Sequence, residues 1–248
     1  MFNRFFKINR SLCKKIERYL PQARTNIFNL YTELVVQYIN SKCNQIIIDV
    51  GSGNKCSFAK FINPAVNAKI IAVDMSIEAM ENNRDVDEKR VADITQNIPF
   101  ENNEVDLIVS RSVLEHLKYL DNFIIESKRV LKRNGYCIHL LPSKFAPFAI
   151  INQILPKKLS KKLLYFSHPQ LKGIAGFPAF YSNCYYSSIK SLFEKHDFEI
   201  VDLKTNYYQS PYFNFLIPLF LISALYEILL QFIGAKNLSA YILIVAKK

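Results

Sequence analysis

Hydrophobic positions along the chain change their spacing at residue 46. Before it, apolar side chains recur at helical spacing, which predicts one or two amphipathic helices over residues 11–42, split near Pro21. After it, short apolar runs alternate with segments of helical spacing. The predicted strands are 46–50, 69–73, 89–92, 105–109, 136–141, 198–203 and 241–246, with helices at 57–62, 77–82, 121–131 and 186–196. Strands that are apolar on both faces need helices above and below, so we predict an α/β, Rossmann-like fold with a seven-stranded, mostly parallel sheet.

Two stretches depart from this alternation. Residues 143–184 are rich in Pro, Phe, Tyr and Lys without a clear strand, and residues 213–233 are almost continuously apolar. We therefore interpret residues 1–248 as a single domain with additions to its core. Its parts are N-terminal helices over 1–44, a cofactor-binding core over 45–142, an inserted acceptor or membrane segment over 143–184, and C-terminal strands over 185–248 that include an apolar helical insert at 213–233.

A glycine loop follows the first predicted strand, in the segment Asp49-Val50-Gly51-Ser52-Gly53. Glycine permits positive φ and a close approach of the backbone to a ligand, and ligands of open α/β sheets bind beyond the carboxyl ends of the strands. A dinucleotide fingerprint would need glycine or alanine at position 56, where Cys56 stands. The loop therefore favours a nucleoside cofactor without a pyrophosphate.

Acidic residues end the next two predicted strands. Asp74 lies 23 residues after Gly51, where a carboxylate can accept hydrogen bonds from both ribose hydroxyls. Asp93 can accept a hydrogen bond from an adenine amino group, with Ile94 against the ring. A glycine loop followed by acidic residues at the ends of the next two strands is a far more specific signal than the glycines alone.

The order of these motifs resembles class I S-adenosylmethionine-dependent methyltransferases, in particular the type 11-like, small-molecule branch that includes ubiquinone and menaquinone methyltransferases. The matching segments are 49–53, 72–74, 92–100, 105–110, 113–117 and 129–136. The resemblance implies S-adenosyl-L-methionine as cofactor. The residues that it places at the cofactor are Asp49, Gly51, Ser52, Gly53, Asp74, Met75, Asp93, Ile94 and Ser110. Many relatives carry a third glycine where this chain has Lys55.

Catalytic candidates follow the fourth predicted strand. Glu115 and His116 form the best-placed acid/base pair, because a histidine titrates near neutral pH and suits the deprotonation of a hydroxyl. The alternative is that His116 only packs against the following helix. Some quinone-pathway relatives hold a metal through Glu-x-x-Glu-His, but Ser112 replaces the first Glu, so no metal is predicted. His168, in the inserted segment, is a further candidate for the acceptor pocket.

Charge and composition indicate the partners. The net charge is +11, and residues 1–25 carry seven basic residues against one acidic, a local charge of +6. Lysines 157, 158, 161 and 162 form a second basic cluster beside apolar blocks, a pattern typical of interfacial membrane segments. The five cysteines are scattered and no signal peptide precedes them, so we expect a cytoplasmic protein, peripheral on the inner face of the membrane.

The leading interpretation is methyl transfer, O-directed, to a small-molecule or lipid-linked acceptor, either a glycan or quinone-like, at an anionic membrane surface. An RNA methyltransferase is an alternative prompted by the charge, but no Asn-Pro-Pro-Tyr-type motif follows the fourth strand, so nucleic acid is not the expected partner. A non-catalytic, membrane-associated cofactor-binding module is the other alternative. The sequence leaves the acceptor and the oligomeric state open.

Overall fold

A seven-stranded sheet forms the centre of the protein, whose computed structural model describes residues 2–23, 25–167 and 178–248. The strand order is β3-β2-β1-β4-β5-β7-β6. The strands are β1 Ile46–Val50, β2 Lys69–Asp74, β3 Glu88–Val91, β4 Val105–Arg111, β5 Leu131–Pro142, β6 Glu199–Asn206 and β7 Tyr241–Lys247. The first five are parallel, and β7 runs antiparallel between β5 and β6. The predicted fold class is confirmed.

Helices cover the sheet and account for most of the predicted helical segments. In the described ranges they are α1 Phe2–Glu17, α2 Ile27–Asn40, α3 Ile77–Met80, α4 Leu120–Val130, α5 Pro147–Ile154, α6 Lys157–Ser167, α7 Tyr186–Lys195 and α8 Ile217–Ile233. In α2, the buried stripe Ile27, Tyr31, Val35 and Ile39 recurs every four residues, and the Asn26 side chain accepts a hydrogen bond from Phe28 N. Spacing and cap together fix which face of α2 packs on the sheet.

The segment after the glycine loop differs from the prediction. A helix was expected over residues 57–62, but the chain makes only two short 3₁₀ turns, Ala59–Phe61 and Pro64–Val66. Pro64 lacks an amide hydrogen, and Asn63 turns its side chain back to Ala65 N, so the second turn starts afresh instead of continuing the first. The described segment between the glycine loop and β2 therefore contains no α-helix.

The additions to the core are helical where the structure describes them. The inserted segment contributes α5 and α6, and the apolar stretch at 213–233 is helical from Ile217 onward. None of the helices in the described ranges is long and apolar enough to cross a membrane.

The direction of β7 brings an additional element to the functional edge of the sheet. Because β7 is antiparallel, its first residue, Tyr241, pairs with Pro142 at the end of β5. The carboxyl ends of β1, β2, β4 and β5 and the beginning of β7 thus share one edge. β1, β2 and β3 form the half of this edge that carries the glycine loop, and β4, β5 and β7 form the other half.

Candidate active site

The glycine loop makes a sharp turn at the end of β1. Gly51 and Gly53 have φ values of 63° and 54°, in the left-handed region that favours glycine. A Cβ at Gly51 would lie 2.4 Å from Val113 Cγ2, so the loop touches the segment after β4. A Cβ at Gly53 would meet nothing within 4 Å, so this side of the loop is open to a ligand.

Buried polar groups hold the loop in place. Ser52 Oγ donates to Asp49 Oδ2 at 2.7 Å, and Asn83 Nδ2 donates to Ser52 Oγ at 2.9 Å and to Gly53 O at 3.0 Å. Burial raises the pKa of Asp49 to about 6, against the lowering effect of the Ser52 hydroxyl. Asn83 is buried and was missed by the sequence analysis, because an asparagine between α3 and β3 belongs to no motif.

The two predicted ligand carboxylates follow adjacent strands. Asp74 ends β2, is half-buried, and accepts weak hydrogen bonds from Gly53 N at 3.3 Å and Ser76 N at 3.4 Å. The neighbouring Met75 is 71% exposed, an apolar side chain with one face available to a ligand.

Asp93 lies just beyond β3. Its carboxylate accepts from the Thr95 amide and hydroxyl and from Gln96, and these hydrogen bonds lower its pKa, with the Thr95 hydroxyl first among them. Ile94 beside it is buried. The structure therefore brings the loop, Asp74 and Met75 together, with Asp93 and Ile94 at the end of the next strand.

Ser110 has a different environment from the other predicted cofactor residues. Its side chain is fully buried, and Oγ lies 2.7 Å from Nδ1 of His139 on β5. Burial lowers the pKa of His139 to about 3, so the ring is neutral, and it packs edge-on against Phe123. The hydroxyl of Ser110 is thus used inside the protein, as the partner of His139.

Glu115 and His116 stand on the 3₁₀ turn after β4, and Ser112 before them has a φ of 57°. Glu115 is buried, burial raises its pKa to about 8, and its Oε2 has no hydrogen-bond partner among the described residues. His116 Nδ1 lies 2.7 Å from Pro178 O, and Nε2 lies 3.7 Å from Glu115 Oε1. Burial lowers the pKa of His116.

The hydrogen bond to Pro178 fixes the tautomer of His116. A carbonyl oxygen can only accept, so Nδ1 carries the proton and Nε2 is the basic nitrogen of the neutral ring. The pair thus consists of a protonated carboxyl and a neutral imidazole at pH 7. His168 lies outside the described residues, and within those residues no three His, Cys, Asp or Glu side chains are grouped to hold a metal.

Three tyrosines surround Glu115 from separate parts of the chain. Tyr181 N donates to the Glu115 main-chain oxygen at 3.0 Å, and the hydroxyls of Tyr212 and Tyr241 lie 2.9 Å apart. Burial raises the pKa of all three, and the Glu115 carboxyl adds to the rise. Phe148 stacks on Tyr212 with ring centroids 4.4 Å apart.

Comparison with known proteins agrees with this geometry. Residues 48–139 match the family model described as a methyltransferase domain. An uncharacterized protein of Methanocaldococcus jannaschii is 27% identical over 156 residues, which cover 62% of this chain and 64% of that protein. The match therefore spans less than two thirds of the relative's length.

Solved structures share the fold at low sequence identity. The geranyl diphosphate C-methyltransferase of Streptomyces coelicolor, crystallised with Mg²⁺, geranyl-S-thiolodiphosphate and S-adenosyl-L-homocysteine, superposes with a TM-score of 0.56 at 12% identity over 88% of this chain and 75% of that one. An S-adenosylmethionine-dependent methyltransferase of Mesorhizobium loti gives a TM-score of 0.56 at 12% identity over 88% and 95% of the two chains.

Proposed function

We propose that this protein transfers a methyl group from S-adenosylmethionine to a hydroxyl oxygen of a lipophilic acceptor. The match of residues 48–139 to the methyltransferase-domain family model and the shared fold support the activity. The acceptor class is a lipid-linked glycan or a quinone-like compound presented at a membrane surface. The observation that carries the O-directed assignment is the neutral His116 whose Nδ1 is held by Pro178 O, which leaves Nε2 as its basic atom.

The residues of the glycine-loop half fit the cofactor. When bound, S-adenosylmethionine supplies a methyl group that its sulfonium has already activated. Gly51 and Gly53 let the main chain approach the amino-acid part, Asp74 accepts the ribose hydroxyls, and Asp93 accepts the adenine amino group. Met75 and Ile94 contribute apolar contacts to the base, Asp49 and Ser52 hold the loop, and Ser110 supports the end of β4 from inside through its contact with His139. The open side of Gly53 and the exposed face of Met75 support this assignment.

The other half of the edge supplies the groups for the acceptor. His116 Nε2 takes the proton of the acceptor hydroxyl as the oxygen attacks. Glu115, protonated at neutral pH, places no negative charge beside the imidazole, whose Nε2 lies 3.7 Å from Glu115 Oε1. The other contribution of the protein is to align the acceptor oxygen with the methyl group, because displacement at an activated methyl group needs alignment more than electrostatic assistance.

A lipophilic acceptor is supported by the side chains around Glu115. Phe148, Tyr212 and Tyr241 form a stacked aromatic group, with Phe148 and Tyr241 centroids 5.6 Å apart. Aromatic rings offer flat apolar contact and tyrosine hydroxyls offer hydrogen bonds, a combination that suits a glycan or a ring on a lipid tail. The fold accommodates a prenyl acceptor in the S. coelicolor enzyme named above.

Calorimetry with S-adenosylmethionine tests the cofactor assignment. We expect micromolar binding by the wild-type protein, loss of binding in Asp74→Ala, and no change in the control Asp197→Ala, an exposed carboxylate beyond α7. Absence of binding by a folded wild-type protein would refute the proposal.

The acceptor assignment is tested with labelled S-adenosylmethionine and a lipid extract as the acceptor source. We expect label in the lipid phase and a fall in rate of about 10²–10⁴-fold for His116→Gln, with cofactor affinity retained. Glu115→Gln keeps a neutral side chain and should keep much of the rate. Label that appears on nitrogen or carbon, or an unchanged rate for His116→Gln, contradicts the assignment of His116 as the base for an oxygen.

A further inference from the structure

Helix α8 carries two polar residues, Ser223 and Glu227, on its buried side. Glu227 is fully buried, and its carboxylate accepts from Gln209 N at 3.1 Å, from Ser210 N and from Ser223 Oγ at 3.2 Å. A helix on the surface of a protein in water normally shows the opposite pattern, with polar residues outside. The inward carboxylate fastens α8 to the chain before it, so the orientation of the helix is fixed.

The outward face of α8 is correspondingly apolar. Ile222 is 64% exposed, Leu225 67% and Phe232 89%. The exposed apolar side chains that follow one another along this face are Leu221, Ile222, Leu225, Ile228, Leu229 and Phe232. Their spacing, at i, i+1, i+4, i+7, i+8 and i+11, places them on a single stripe, and no charged residue interrupts it. Contiguous exposed apolar stripes of this kind mark interaction sites.

Helix α1 adds a second apolar stripe next to α8. Phe5, Ile8 and Leu12, spaced at i, i+3 and i+7, are all exposed, whereas Asn9 and Cys13 are buried. Asn9 Oδ1 accepts a hydrogen bond from Ile217 N at 3.0 Å and so ties the middle of α1 to the beginning of α8. We call the outward stripe of α8 and this stripe of α1, together, the docking surface.

Basic side chains accompany the docking surface. On α1 they are Arg4, Lys7, Lys14 and Lys15, all exposed and grouped on the side of the Phe5 stripe that faces away from the buried residues. The four lysines of α6 are also exposed. The end of α6 is held to α1, since Arg10 Nη2 donates to Phe166 O at 2.7 Å and the rings of Phe6 and Phe166 meet edge to face at 4.8 Å.

We propose that the docking surface binds the surface of an anionic lipid bilayer, with the apolar stripes among the acyl chains and the lysines and arginines at the headgroups. The charge argues for this occupant. A second copy of the chain on the same face would bring together two segments of local charge +6, which repel, whereas anionic lipids attract them. The purpose of this binding, access to a lipid-linked acceptor, rests on the proposed function.

The helix lies along the bilayer plane. With 17 residues, α8 is about 26 Å long, shorter than the roughly 30 Å hydrocarbon core, and its inner side is covered by protein. Since α8 is also tied to α1 at its beginning and leads into β7 at its end, only its outer face is available to lipid. Shallow insertion of an amphipathic helix with neighbouring lysines is a known mode of peripheral binding.

Flotation with unilamellar vesicles tests the docking surface. The full-length protein is mixed with vesicles of phosphatidylcholine alone or with added phosphatidylglycerol. We expect binding to the anionic vesicles and release as salt is raised. The variants Leu225→Asn with Phe232→Asn, and Lys14→Glu with Lys15→Glu, should each lower binding by at least about tenfold. The control Ile125→Asn changes an apolar residue on α4 that is 50% exposed, and this variant should bind like the wild type.

Three results would overturn the proposal. The first is that wild-type protein stays unbound at low salt. The second is binding that the Leu225 and Phe232 variants retain while circular dichroism shows them folded. The third is a dimer in analytical ultracentrifugation that these substitutions dissociate, because the face would then be a subunit interface. Calorimetry with S-adenosylmethionine on the same samples separates this outcome from failure of the proposed function, since cofactor binding does not depend on lipid.

Discussion

Replacing Gly51 by alanine tests whether Val113 limits the glycine loop. The substitution places a methyl group 2.4 Å from Val113 Cγ2 and 3.2 Å from Cγ1 at a residue with a φ of 63°. The left-handed conformation alone costs about 1–2 kcal/mol, and overpacking adds about 1–3 kcal/mol. Gly53→Ala has the same conformational cost without the collision, because nothing lies within 4 Å of its Cβ. We therefore expect losses of about 2–5 kcal/mol at Gly51 and about 1–2 kcal/mol at Gly53.

Urea unfolding of the two single variants, of Val113→Ala and of the double variant Gly51→Ala/Val113→Ala measures this difference. Val113→Ala removes both methyl groups that collide, so the double variant should be more stable than the sum of the single losses predicts, by about 1–3 kcal/mol. The dependence of the unfolding free energy on urea should be the same in all four proteins. Equal losses at Gly51 and Gly53, or additive losses in the cycle, would falsify the claim that Val113 sets the position of the loop.

Three further predictions concern buried polar groups. Burial raises the pKa of Glu115 in the folded protein from 4.5 to about 8. The wild type should therefore lose stability relative to Glu115→Gln as the pH rises from 4.5 to about 8. A difference in urea midpoints that stays constant over this range contradicts the prediction. Ser110→Ala leaves His139 Nδ1 without its partner and should cost about 1–3 kcal/mol in urea unfolding, with cofactor affinity preserved in calorimetry. The Lys132 ammonium and the Ile46 amide hold the pKa of Asp106 below its ordinary value of 3.8, against the effect of burial. The wild type should therefore have a higher free energy of unfolding than Asp106→Asn at neutral pH. This difference should disappear as the pH is lowered below 3.8.

The central strands could be predicted from sequence because burial on both faces leaves a continuous apolar run. The structure begins β1 and β4 at the predicted residues, Ile46 and Val105. The beginning of β5 was missed, since residues 131–135 include Lys, Arg, Asn and Gly and look like a turn. They belong to the strand through the pairing of Leu131 with Val105 across an irregular register, a main-chain contact that no side-chain pattern reports.

The candidate site also has a part that the sequence predicted and a part that it did not. The glycine loop and Asp74 are close in sequence and follow from a local motif. The group around Glu115 is assembled from residues 115, 181, 212 and 241, and it exists only because β7 enters the sheet antiparallel. The antiparallel direction of β7 and the contacts of Asn83 both depend on packing between distant segments. Neither of them therefore leaves a periodic pattern in the sequence. The helix predicted over 57–62 is absent, and the chain forms two short 3₁₀ turns there, the second beginning at Pro64.

The place of β7 in the sheet also dictates an order of assembly. Among the described residues, β6 pairs in the sheet with β7 alone, and β7 is the last of the seven strands in sequence. Residues 199–206 can therefore join the sheet only together with or after residues 241–247, whereas β1 to β4 can pair among themselves as soon as residue 111 is present. The half of the molecule that holds the glycine loop is thus free to form early. The half that carries Tyr241 can be completed only after α8, with its apolar outer face, has been synthesised.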